Sequence, residues 1–144
     1  MIEQDTVRLL RECDAGIKMG VESIEEVVDR VHSKDFRQVL VDSRQKHNEL
    51  DRELQQMLNR YQDEGKNPNP MAQGMSWLKT NAMLMMKPDD RTIADLMTDG
   101  CNMGVKSLHK YLNEYKAADE KSKDIAKKLV NLEQKLAVDI RTYL

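Results

Sequence analysis

The sequence predicts an all-α four-helix bundle made of two similar helical hairpins. Three observations carry that prediction. Charged residues form 33% of the 144-residue chain and aromatics only 4%, a balance that suits long amphipathic helices better than sheets. Apolar residues recur at alternating steps of three and four through four long stretches, the spacing of helices that pack at a shallow angle. Finally, Cys13-Asp14-Ala15-Gly16-Ile17-Lys18 returns 88 residues later as Cys101-Asn102-Met103-Gly104-Val105-Lys106, each copy inside a helical stretch that is followed by another. At this length the chain is one domain, with a hairpin over 5–64, a crossover over 65–89 and a hairpin over 90–144.

The first helix is expected from Asp5, a good N-cap, to Val31. Its seam is Leu10, Cys13, Ile17, Gly20, Ile24, Val27 and Val31, with charged residues off it. A glycine on the seam costs about 1 kcal/mol of helix propensity relative to alanine, so Gly20 implies a backbone or bulky side chain close by. His32-Ser33 breaks the pattern, and Ser33 caps a second helix from Lys34 to Glu64. That helix has the seam Phe36, Leu40, Ser43, His47, Leu50, Leu54, Met57 and Tyr61. So short a connection makes the two helices antiparallel.

Gly65 to Pro70 stops the second helix, and a shorter one is expected from Met71 to Met86. Pro88-Asp89-Asp90 then caps the third. The 25 residues from Gly65 to Asp89 can retrace a helix of about 40 Å, so the second and third helices can run parallel. The third helix spans Asp90 to Lys116 with the seam Cys101, Val105, Leu108, Leu112 and Tyr115, in register with the first after subtracting 88. The fourth spans Asp119 to Tyr143, with Ile125, Leu129, Leu132, Leu136, Ile140 and Tyr143 facing inward.

Crossover connectivity and the paired Cys-x-x-Gly elements resemble the ferritin-like superfamily. The chain is most similar to small bacterial four-helix bundles of unknown function that carry such an element on their first and third helices. Di-iron members of the superfamily take one carboxylate from each of helices one and three, and a Glu-x-x-His pair from each of helices two and four. Here the positions after the two elements hold Ile17 and Val105, and none of the eleven glutamates has a histidine three residues later. Asp29 with His32 is the lone acidic pair of that spacing, without a duplicate. The resemblance therefore implies a bundle that has lost its di-metal centre and filled the site with aliphatics such as Leu129 and Leu132.

Other function classes find little support. Lys plus Arg number 23 against 25 for Asp plus Glu, a net charge of −2 with the signs interleaved, so neither nucleic acid nor an anionic membrane is an expected partner. Two cysteines without CxxC spacing exclude a disulfide framework and a zinc knuckle. A polar start and the lack of an ~18-residue apolar run point to the cytoplasm. No triad order, phosphate-binding loop or paired carboxylates on a seam can be found, so neither an enzyme nor a cofactor is expected.

His47 is the one inward-facing histidine, read first as a core residue bonded to a carbonyl, Ser43 or water. Its functional alternative is a single Zn²⁺ or Cu⁺ ion shared with Cys13 and Cys101, which requires all three at one level of the bundle. Each cysteine otherwise reads as a small buried hydrophobe. Seven of the ten methionines fall between Met71 and Met103. Met75, Trp77, Met83, Leu84 and Met86 form an apolar cluster wider than one stripe, the expected contact of a homo-oligomer, most simply a dimer. The sequence thus predicts a non-catalytic structural or interaction protein. A metal-binding or redox protein and a carrier of a hydrophobic ligand are the alternatives.

Overall fold

A computed structural model describes residues 2–68 and 89–144. The expected short helix over 71–86 and its cluster Met75, Trp77, Met83, Leu84 and Met86 lie outside the described residues. Among the described residues there are four long helices: α1 (Ile2–Val27), α2 (Lys34–Arg60), α3 (Asp90–Glu114) and α4 (Glu120–Asp139). No helix among the described residues is long and apolar enough to cross a membrane. The starts of α1 and α3 differ by 88 residues, matching the offset of the duplicated motif.

Side chains define the starts of α2, α3 and α4, whereas α1 begins at Ile2, so Asp5 lies inside its first turn rather than capping it. Ser33, Asp89 and Asp119 sit in extended backbone and accept from the amides of Phe36, Thr92 and Ser122, each satisfying one orphan N–H of a first turn. The helix ends fall short of the expected boundaries. α1 tightens into a 3-10 turn over Val28–Arg30, and α4 is followed by another over Arg141–Tyr143. α2 stops at Arg60 rather than Glu64, because Gln62 takes φ 53° and turns the chain before Gly65.

Polar bonds at the corners fix the topology. Asp90 accepts from the amides of His32 (2.8 Å) and Ser33 (2.9 Å), so α3 begins at the α1–α2 corner. Thr6 Oγ1 accepts from the Asp119 amide (2.8 Å) and Asp5 from the Ala117 amide (3.0 Å), so α1 begins at the α3–α4 corner. α1 and α3 are therefore antiparallel, while α2 and α3 start at the same end and run parallel. The Tyr61 hydroxyl donates to Asp119 (3.3 Å) and Lys128 pairs with Glu53 (3.0 Å), which makes α2 and α4 antiparallel neighbours. α1 and α4 also pack across a diagonal, whereas α2 and α3 make no comparable contact.

The predicted seams are buried, and they form two apolar halves. Cys13, Ile17, Leu50, Leu54, Leu108, Ile125 and Leu129 belong to one. Ile24, Val27, Phe36, Leu40, Ile93, Cys101, Leu136 and Ile140 belong to the other, closed by a Phe36–Tyr143 stack at 4.5 Å. Between Ile17 and Ile24 on α1, between Leu40 and Leu50 on α2, and between Leu129 and Leu136 on α4 lies a layer that is not apolar.

Candidate functional site

That layer is built from Gly20 of α1, Ser43 and His47 of α2, Cys101 and Gly104 of α3, and Glu133 of α4. His47 has no exposed surface and Glu133 is 8% exposed. His47 Nε2 meets Glu133 Oε1 at 2.9 Å, and Nδ1 meets the Ser43 carbonyl at 2.7 Å. A carbonyl only accepts, so Nδ1 carries a proton. One further proton then bridges Nε2 and Oε1, and the pair is neutral overall wherever that proton resides. Burial pulls the His47 pKa down, but the hydrogen bond and charge of Glu133, with help from the Ser43 carbonyl, outweigh it and hold the imidazole above its ordinary range.

The surrounding helices leave room for it. A Cβ on Gly20 would stand 2.9 Å from His47 Nε2 and 3.3 Å from Glu133 Oε1, closer than packed atoms tolerate. Gly104, in the second copy of the motif, lies against Glu133, where a Cβ would sit at 3.6 Å. The seam glycine of α1 does mark a bulky neighbour, and that neighbour is His47. Cys101 lies close enough to Glu133 to feel its carboxylate. Burial first, and then that carboxylate, push its thiol well above the usual range.

Of the three candidate ligands, His47 and Cys101 each neighbour Glu133, while Cys13 lies apart. Cys13 lies in the other apolar half, seven residues before Gly20, roughly 10 Å along the axis. Burial, with Glu12 and Asp14 nearby, pushes its thiol up to about 12. The two cysteines do not share one level: Cys101 lies at the polar layer and packs with one apolar half, Cys13 with the other, because α1 and α3 are antiparallel and the motif runs in opposite directions on them. Among the described residues no group of three or more His, Cys, Asp or Glu is placed to hold a metal ion.

Glu133 was not among the residues expected to face inward. Leu132, the neighbour chosen for the seam, is only partly buried. Both positions step correctly from Leu129 and to Leu136, and apolarity favoured the wrong one. The signal that could have found Glu133 is the shared register of the N-caps. His47 follows Ser33 by 14 residues, and Glu133 follows Asp119 by 14.

A second polar cluster occupies the outer side of α1. Asp14 is fully buried and accepts from Lys18 Nζ (2.9 Å), the Lys66 amide (2.9 Å) and Gln55 Nε2 (3.1 Å). Arg11 pairs with Asp63 (2.6 Å), Glu12 with Lys66 (2.6 Å), and Lys18 also donates to Asn67 (3.2 Å). Residues 63–67 are thereby clasped along α1 as they leave α2. Gly65, at φ 82°, supplies the left-handed turn, and a Cβ there would overlap Asp14. Asn102, the counterpart of Asp14 in α3, is exposed.

No family model matches this chain, and no curated protein or solved structure proves similar to it.

Proposed function

We propose that the chain is a non-catalytic interaction bundle, a ferritin-like relative whose di-metal centre has been replaced by packing, acting through its surface as a self-associating scaffold. One observation supports this above the others. Among the described residues every buried side-chain nitrogen and oxygen has a hydrogen-bond partner. His47, Glu133 and Asp14 direct their bonds to the protein itself, and both thiols are buried and held protonated. A catalytic or ligand site keeps polar groups aimed at a substrate; here they hold helices together. Parallel α2 and α3, with a long connection between them, favour the ferritin-like reading.

Two measurements test the proposal. Elemental analysis of protein purified without an affinity tag, repeated after incubation with Fe²⁺, Mn²⁺ and Zn²⁺, is expected to find less than ~0.1 metal per chain. Near-stoichiometric metal that His47→Ala removes would overturn it in favour of a metal-binding or redox role. Light scattering is expected to show an oligomer, most simply a dimer, which dissociates on Met83→Asp with Met86→Asp. A wild-type chain that stays monomeric at high concentration removes the self-association half of the proposal.

A further inference from the structure

His47 and Glu133 are counterparts in the two hairpins. Each lies 14 residues after its N-cap, on antiparallel neighbouring helices, and the two touch. A pair of equivalent positions in direct contact must straddle the axis that relates the halves, as self-contacts do in isologous dimers. Hairpins of the same register could also associate like with like, between copies of the chain, and the apolar seams would not oppose that. The axis contact is where such assemblies differ most from the native one.

We infer that the His47–Glu133 contact is a pairing key, through which the 2–61 hairpin accepts a 90–144 hairpin, from its own chain or from a second copy, and rejects another copy of itself. In the native pair a single proton lies between imidazole and carboxylate, and the layer is neutral. Two N-terminal hairpins would set histidine against histidine. Each Nδ1–H is already committed to a Ser43 carbonyl, so the two Nε2 lone pairs would face each other, or share an extra proton and bury a net positive charge. Two C-terminal hairpins would set glutamate against glutamate, and carboxylates that close cannot both ionise. Either mismatch leaves an uncompensated group in a layer closed by Gly20 and Gly104, where no water is needed to complete the native bonds. A single polar pair placed on the axis thus selects the unlike partner, as one buried polar residue can fix partner choice in a coiled coil.

The test exchanges the two residues in the full-length chain. His47→Glu and Glu133→His alone should each lower the folding equilibrium constant by roughly two to four orders of magnitude in urea unfolding, the loss typical of breaking a buried pair. Both substitutions in one chain should regain at least about tenfold over either alone. An equimolar mixture of the two single variants, each also carrying Met83→Asp and Met86→Asp so that the proposed self-association is removed, should on joint refolding yield a particle of two chains by light scattering, because exchange of hairpins restores both proper contacts. Neither variant refolded alone should form that particle. If the single variants do not fold, cooperative unfolding of the doubly exchanged chain still supports the key. The inference fails if the double exchange is no more stable than the single variants. It also fails if a single variant unfolds like the wild type, or if the mixture yields no two-chain particle.

Discussion

An imidazole and a carboxylate buried side by side are costly to desolvate, and His47 and Glu133 offset that cost only as a pair. Removing one partner, as in His47→Ala, should therefore destabilise the protein by about 3–5 kcal/mol in urea unfolding. Replacing both with aliphatics of similar volume, His47→Leu with Glu133→Met, should be neutral or stabilising by a few kcal/mol, since no charge is then left behind. The pair also sets a pH dependence. The groups facing His47 are Glu133 and the Ser43 carbonyl, with Cys101 beyond Glu133; burial pulls its folded-state pKa down, but Glu133 and the Ser43 carbonyl outweigh that and hold it above the unfolded value. Its contribution to stability is then complete below about pH 6.5 and is lost as pH rises through the raised value. Urea midpoints should fall between pH 6 and 9 in the wild type, with a smaller slope in the His47→Leu, Glu133→Met variant. The thiols belong to the same scale. Buried Cys13 and Cys101 should resist a thiol reagent in the native protein and react at once in denaturant; rapid native labelling would contradict their packing.

Within α1 and α3 the glycines separate two effects that usually act together. Gly100 is exposed, and an added Cβ meets nothing within 4 Å. Gly100→Ala should stabilise by roughly 0.5–1 kcal/mol through helix propensity alone. Gly20→Ala gains the same propensity but drives a methyl into His47 and Glu133, and should lower the melting temperature. The clasp on α1 makes a further prediction. Asp14→Ala removes the acceptor of three hydrogen bonds at a buried site, and should cost about 3 kcal/mol and speed tryptic cleavage after Lys66. Apolar seams were legible in the sequence because a run of three- and four-residue steps has few alternative readings. Glu133 was not, because a charged residue beside a leucine reads as the solvated neighbour. Asp14 was visible only as a motif letter, since its burial comes from a segment 50 residues away whose path no local pattern encodes.

At the scale of the whole bundle a repeated motif and asymmetry coexist. The two hairpins share the offset of their first helix starts, N-caps of one register and corner bonds from the opposite hairpin, beside the motif that repeats in the sequence. What the motif hid is that its two copies are used differently: one clasps the chain leaving α2, the other borders the polar layer. Such divergence depends on which segments pass by, a property of the assembled molecule rather than of either hairpin. The corner bonds and the clasp also have a joint consequence for the stretch between residues 68 and 89. Its entry is tied to α1 by Lys66 and Asn67, and its exit to the α1–α2 corner by Asp90. Both moorings are made by residues outside that stretch, so added length need not break them, and the closure entropy of added flexible residues costs about 0.6 kcal/mol per doubling. That interval is therefore where the chain can accept insertions, tags or new recognition sequence while the four helices stay as they are.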